Sequence, residues 1–236
     1  MILDRIRQFV GLRGPKRLVL FHHLPKCGGT SMVETLRQWF PVVTMYRRAW
    51  TETPPPAPPL NSLRDSTVLV GHFELPGCHW TEIYPEALTN PDIKVMTFLR
   101  EPLELQGSLF RYERKHCAGN ARTFEEHLTL RPNYMASLLR ADEANWREVL
   151  DRYWFVGATE RAQEGFDALA EALGKPRVDV ARTNETAASE ESDPRHLPSH
   201  LVAAFREANG LDYRIYAEVE RRFERFWTSL QTPRRR

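Results

Sequence analysis

Four short segments made almost entirely of branched and aromatic residues recur along the chain. They span residues 17–22, 67–73, 94–99 and 153–158. Each is too short for an isolated helix and too continuously apolar for a strand with one face in water. We therefore interpret these segments as buried strands of a parallel sheet.

Helical patterns lie between the predicted strands. After the first strand, Thr30 and Ser31 are typical helix-entry residues, and a one-sided apolar stripe follows them: Met32, Val33, Leu36 and Phe40. A second stripe closes the chain within residues 211–230: Val219, Phe223 and Phe226. The order of strand, glycine turn and helix predicts an α/β fold of three layers, a mainly parallel sheet flanked by helices. In such folds, ligands bind at the carboxyl ends of the strands.

Two polar segments interrupt this pattern, and we predict both as loops of a single domain spanning residues 1–236. Residues 54–59 are almost all proline, which cannot donate to a strand ladder and favours polyproline II, so we interpret them as an exposed, stiff spacer. Residues 183–200 hold too few apolar side chains for a core and predict a mobile loop or lid. Residues 2–10 predict a short surface helix, and residues 234–236 predict a solvated tail.

The composition excludes several classes of protein. The chain has 236 residues, of which 42% are hydrophobic and 27% charged, and its formal net charge is +2. This balance argues against nucleic-acid binding through bulk positive charge and against an acidic disordered chain. A globular chain of this length buries roughly 70–75% of its extended surface, which is enough for one large α/β domain.

The cysteines and the apolar runs bear on the cellular compartment. Cys27, Cys78 and Cys117 have neither the spacing nor the even number of a disulfide framework or a zinc site. No apolar run approaches the roughly 18 residues of a membrane helix, and the first residues lack the pattern of a signal peptide. We therefore expect a cytoplasmic protein without a transmembrane segment.

Residues 21–31 carry the strongest chemical signal. Gly28 and Gly29 let backbone amides approach an anion, the following helix presents its N–H groups, and Thr30 and Ser31 add hydroxyl donors. A strand, this loop and a helix in succession make the predicted fold P-loop-like. Lys26 precedes the glycines, whereas the Walker lysine follows them, and no aspartate for Mg²⁺ follows on an apolar strand. This order disfavours an NTPase.

The loop resembles a known family of transferases. Residues 25–31, PKCGGTS, resemble the 5′-phosphosulfate loop of sulfotransferases that use 3′-phosphoadenosine 5′-phosphosulfate (PAPS). The resemblance is strongest to the carbohydrate-type, heparan-sulfate-like branch, whose loop commonly reads PKTGGTS, with threonine in place of Cys27. It implies PAPS as the donor cosubstrate, held by the loop residues Lys26, Cys27, Gly28, Gly29, Thr30 and Ser31.

A second motif follows at a consistent distance. Residues 94–115 are similar to that family's strand, Arg-x-Pro turn and serine-bearing helix. The resemblance implies that Arg100 and Ser108 bind the 3′-phosphate of the nucleotide. An arginine fork at a strand end suits a phosphate, and Ser108 lies about two helical turns further on. Residues 155–160 and 211–216 resemble later, more generic family elements, so the similarity runs from about residue 17 to about residue 226.

The resemblance also implies a reaction. The sulfuryl group passes in line to a hydroxyl acceptor while adenosine 3′,5′-bisphosphate leaves, and Lys26 neutralises the developing charge without a metal ion. An alcohol acceptor needs a base. We favour His72, at the end of a predicted strand, over His79, which we place on a flexible loop. His22 and His23 precede the loop and could line the sulfate site.

Other functions remain open from the sequence. A nucleotide-binding module without transfer chemistry is one alternative, although binding alone would require neither Lys26 nor His72. An ATP-dependent kinase is a weaker alternative because the Walker order is absent. For the transferase, the acceptor could be a glycan, a glycolipid or a small metabolite. No nucleic-acid partner is expected, and the oligomeric state is not predicted.

Overall fold

The computed structural model describes residues 17–46, 56–74, 77–117, 122–181 and 193–231. The predicted helix at residues 2–10 and the tail at residues 234–236 therefore lie outside the described residues. The same holds for the first part of each predicted loop, residues 54–55 and 183–192.

A five-stranded sheet forms the centre of the fold. Its strands are β1 (Leu18–His22), β2 (Val42–Met45), β3 (Thr67–Gly71), β4 (Ile93–Leu99) and β5 (Phe155–Ala158). They lie in the order β2-β3-β1-β4-β5, and all four pairings are parallel. The predicted α/β fold around a parallel sheet is thus confirmed.

The helices of the described residues lie between the strands and after the last strand. They are α1 (Gly29–Leu36), α2 (Trp80–Ile83), α3 (Pro102–His116), α4 (Phe124–Leu128), α5 (Tyr134–Leu139), α6 (Trp146–Asp151), α7 (Ala162–Leu173), α8 (Ser199–Ala208) and α9 (Gly210–Gln231). None of them is long and apolar enough to cross a membrane.

The sheet is buried on both faces. Side chains alternate along β1, so that Leu18 and Leu20 join one apolar cluster while Val19 and Phe21 join the other. The first cluster includes residues of α5, α6 and the start of α9; the second includes residues of α1, α7 and the later part of α9. This arrangement produces the three layers that the continuous apolar runs predict.

Several boundaries differ from the sequence predictions. The pattern did not reveal β2, because this edge strand is half exposed and short. Strand β3 ends at Gly71, so His72 lies just beyond the strand rather than within it. In the second predicted loop, the described residues 193–200 are largely helical: a 3-10 turn spans Pro194–His196, and α8 begins at Ser199.

Candidate active site

The loop between β1 and α1 has an unusual backbone conformation. Lys26 and Gly28 both adopt positive φ angles, 65° and 71°, and the Cys27 N–H donates to the carbonyl of Leu24 at 3.3 Å. A lysine rarely adopts this conformation, and such strain concentrates at functional sites. Helix α1 starts at Gly29 without a side-chain cap and without an acidic residue in its first turn. Its first N–H groups and its positive dipole end therefore face the loop.

Gly28 and Gly29 leave no room for a side chain. A Cβ added at Gly29 would lie 1.7 Å from Nε2 of His23, and one added at Gly28 would lie 3.1 Å from Cγ2 of Thr159. Thr159 is itself held by a 2.9 Å hydrogen bond from its hydroxyl to the carbonyl of Leu99. Packing by His23 excludes a side chain at Gly29, and the positive φ together with the close Thr159 disfavours one at Gly28.

The remaining loop side chains differ in exposure. Cys27 is buried in the core, and burial raises the pKa of its thiol to about 12. Thr30 is exposed and Ser31 is half buried. The thiol of Cys27 therefore packs rather than reacts, whereas the two hydroxyl residues lie where a ligand could meet them.

Lys26 points toward helix α3. Its Nζ lies 4.4 Å from the centre of the Tyr112 ring, which is a cation–π contact. Burial lowers the pKa of Lys26, and the neighbouring charges of Arg100 and Arg111 lower it further. A bound anion would relieve this crowding of positive charge.

Arg100 joins the two motifs that the sequence separates. It directly follows β4, which pairs with β1 in the sheet. Its Nη1 donates to the carbonyl of Lys26 at 3.2 Å, and its Nη2 lies 3.9 Å from Oε2 of Glu104. The guanidinium thus lies against the loop, with a quarter of the side chain exposed.

Helix α3 presents a polar face to this region. The side chain of Glu101 caps the helix by accepting the N–H of Glu104 at 2.8 Å, and Pro102 occupies the first turn. Ser108 lies within the helix and is half buried. Arg111 and Tyr112 follow Ser108 by three and four residues, which places them on the same helix face. Neither residue was predicted from the sequence, although this spacing could have identified them.

His72 lies close to the loop between β1 and α1. Its ring centre is 4.5 Å from that of His23 and 4.8 Å from that of Tyr46. His23 in turn packs on Gly29, and its Nδ1 is 3.0 Å from the Tyr46 hydroxyl. The pKa of His23 is lowered to about 3 by burial, with smaller contributions from His72 and Lys26. His23 therefore stays neutral between the loop and His72.

His79 lies in a different environment from the one predicted. It is not on a flexible loop but is buried, and it caps α2 in a reciprocal capping box with Glu82. Its Nδ1 is 2.8 Å from the Thr81 hydroxyl, and its ring contacts those of His22 and Trp80. Burial and the charge of Arg140 lower its pKa to about 4. His79 is therefore part of the core and of the α2 cap.

The two later segments that resemble family elements, residues 155–160 and 211–216, contact each other in the structure. The hydroxyl of Tyr216 donates to Oε2 of Glu160 at 2.7 Å, and Oε1 of Glu160 accepts the N–H of Glu101 at 3.1 Å. Asp212 accepts the N–H groups of Met135 and Ala136 at the start of α5. Glu160 thus supports the turn that follows Arg100, whereas Asp212 holds the start of α5.

The comparisons with known proteins add little to this geometry. No protein-family model matches the chain, and no curated protein matches it. A sulfotransferase from Alicyclobacillus acidocaldarius is 14% identical, with 88% of this chain and 97% of that chain covered and a TM-score of 0.49. Mouse sulfotransferase SULT7A1, solved with PAP, is 15% identical, with 93% and 86% covered and a TM-score of 0.45. Both likenesses are too loose to carry an argument about function.

Within the described residues, no group of three or more histidine, cysteine, aspartate or glutamate side chains is arranged to hold a metal ion.

Proposed function

We propose that this protein is a PAPS-dependent sulfotransferase of the carbohydrate type. The observation that carries the proposal is the hydrogen bond from Arg100 to the carbonyl of Lys26. It joins two segments 74 residues apart in sequence. One is the loop that resembles a 5′-phosphosulfate-binding loop, and the other is the arginine that the same resemblance assigns to the 3′-phosphate. A ligand with two separated anionic groups fits such a site, and a nucleotide 3′,5′-bisphosphate has this chemistry.

The loop residues and the residues of the second motif bind different phosphates of the nucleotide. The backbone N–H groups at Gly28, Gly29, Thr30 and Ser31 hold the 5′-phosphate, with the two hydroxyls as additional donors. Arg100 and Ser108 bind the 3′-phosphate. PAPS supplies the sulfuryl group, and the ammonium of Lys26 stabilises charge that develops on the leaving oxygen.

His72 is the proposed general base. It is a quarter exposed, and through His23 it is connected to the phosphate loop. A base must reach the acceptor hydroxyl, and a partly exposed imidazole beside the loop meets this requirement. His79 remains the second candidate, but its buried cap contacts and its lowered pKa favour His72.

The acceptor is proposed to be a hydroxyl of a glycan, a glycolipid or a small metabolite in the cytoplasm. An alcohol is consistent with a histidine base, because a hydroxyl must lose its proton during transfer.

Ligand-dependent thermal stability tests the proposal. Adenosine 3′,5′-bisphosphate should raise the melting temperature without Mg²⁺, whereas a kinase would be stabilised by MgATP. Incubation with labelled PAPS and a metabolite extract should then show the transfer of label to an acceptor by mass spectrometry. Stabilisation without transfer would favour the non-catalytic binding module, and stabilisation by MgATP alone would remove the sulfotransferase assignment.

A further inference from the structure

A buried carboxylate lies beside the proposed base. Oε2 of Glu74 is 3.9 Å from Nδ1 of His72, and only 8% of the Glu74 side chain is exposed. Glutamate is among the residues least often buried, because removing its charge from water is costly. A glutamate in this position therefore calls for a physical reason.

The surroundings of His72 define which ring nitrogen can meet an acceptor. Its Nδ1 atom is buried, although a quarter of the side chain is exposed. The rings of His23 and Tyr46 pack against the imidazole. The exposed part of the ring therefore excludes Nδ1, which leaves Nε2 as the nitrogen available to a substrate.

We propose that Glu74 is a positioning residue for His72, an inference that rests on the proposed sulfotransferase function. Its carboxylate keeps the proton of the neutral imidazole on Nδ1, so that the lone pair of Nε2 is available to the acceptor. During transfer, the acceptor O–H bond breaks and its proton moves to Nε2. The new O–S bond forms as the bridging S–O bond of PAPS breaks, and the bisphosphate leaves with the electron pair. The carboxylate then faces the imidazolium.

Among the described neighbours of the ring, the histidine and tyrosine side chains carry no charge, and Lys26 adds positive charge on the side of His23. His23 and His22, on the segment that ends β1, are both held neutral, because burial lowers their pKa values. Burial raises the pKa of Tyr46, and it raises the pKa of Tyr134, near Glu74, to about 12. Glu74 therefore supplies negative charge that these groups do not.

Nuclear magnetic resonance of the histidine rings tests the pairing without any acceptor. The pH of the full-length protein is varied in the presence of saturating adenosine 3′,5′-bisphosphate. The His72 signal is assigned by its loss in His72→Gln. In Glu74→Gln this signal should titrate about one pH unit lower, because an adjacent carboxylate favours the charged imidazole. Glu74→Asp should give an intermediate shift. The matched control is Glu86→Gln, which removes an exposed carboxylate from a nearby turn and should leave the titration unchanged.

Kinetics gives the second readout, with the acceptor found in the metabolite incubation. Glu74→Gln should lower kcat about 10–100-fold and move the acid limb of its pH profile to lower pH, with the KM for PAPS unchanged. Glu74→Asp should recover part of the loss, which a merely structural role would not predict. A melting temperature for each variant separates these effects from misfolding.

The experiments distinguish a failure of the proposed sulfotransferase function from a failure of the positioning role of Glu74. If the wild-type protein binds no bisphosphate and transfers no label, the proposed function fails, while the resonance titration still reports whether Glu74 and His72 interact. If the wild-type protein transfers label and Glu74→Gln changes neither the titration nor kcat, the positioning role is wrong and the proposed function stands.

Discussion

The imidazole of His23 occupies the space into which any side chain at Gly29 would project. The Nε2 of His23 lies 1.7 Å from the position of a Cβ built on Gly29. The second glycine of the loop is therefore required by a neighbouring histidine.

Gly29→Ala should consequently destabilise the protein and weaken nucleotide binding. We expect the free energy of unfolding to fall by about 1–3 kcal/mol, because an overpacked methyl displaces the ring or the loop. Urea unfolding and calorimetric binding of adenosine 3′,5′-bisphosphate measure the two effects. Gly210→Ala, where no atom lies within 4 Å of the added Cβ, is the control. The double variant His23→Ala/Gly29→Ala should recover stability; if it does not, the contact is not the cause.

Lys26→Met should remove turnover while retaining most nucleotide binding. The side chain keeps its length but loses the charge that stabilises the leaving oxygen, so kcat should fall about 10²–10³-fold. Single-turnover assays with labelled PAPS measure the chemical step directly. A variant with unchanged kcat would exclude Lys26 from the mechanism.

Arg100→Ala and, to a smaller extent, Ser108→Ala should reduce affinity selectively for 3′-phosphorylated nucleotides. Charged hydrogen bonds to a phosphate contribute about 1.5–3 kcal/mol each. Titration calorimetry would compare adenosine 3′,5′-bisphosphate with adenosine 5′-phosphate. Arg114→Ala, an exposed arginine of the same helix, is the matched control. Equal losses of affinity for both nucleotides would mean that Arg100 supports the loop through Lys26 but does not bind the 3′-phosphate.

Acid should destabilise the fold at a higher pH than carboxylate titration alone would cause. Burial lowers the pKa values of His79 and His127 from 6.5 to about 4, so the unfolded chain binds protons that the folded protein does not. Their contribution to stability is full above pH 6.5 and is lost as the pH falls toward 4, by about 1.4 kcal/mol per pH unit for each group. Asp212 acts in the opposite direction, since burial raises its pKa to about 6.

The measurement is the free energy of unfolding between pH 4 and 7 for the wild type and His127→Gln. The variant should show a shallower slope, smaller by about one proton, whereas exposed His200→Gln should match the wild type. An unchanged slope in His127→Gln would show that this histidine binds its proton equally in the folded and unfolded protein, which contradicts the prediction.

The three cysteines should react in order of exposure. Cys117 is exposed, Cys78 is partly buried, and Cys27 is buried with its thiol pKa raised to about 12. Since the thiolate is the nucleophile, iodoacetamide should modify Cys117 first and leave Cys27 intact until the protein unfolds. Peptide mass spectrometry over time reads out the order. Early modification of Cys27 would place it at the surface of the loop.

The apolar segments were sufficient to predict four strands, their parallel arrangement and the helices on both faces. A continuous run of branched and aromatic residues needs apolar neighbours on each side, and this requirement is local to the chain. The edge strand Val42–Met45 escaped prediction because half-exposed residues carry no such requirement. The position of the loop at Lys26, Gly28 and Gly29 between a strand and a helix was also predictable, since glycines typically mark such a turn.

Contacts between distant segments depended on the tertiary structure. Nothing in the spacing of His72 and His79 indicated that one lies beside the loop through His23 while the other caps a helix in the core. Glu74 likewise became informative only through its position near His72. Side-chain burial and ring contacts are set by which strands pair and in what order, and that order is a property of the whole packed chain rather than of any local segment.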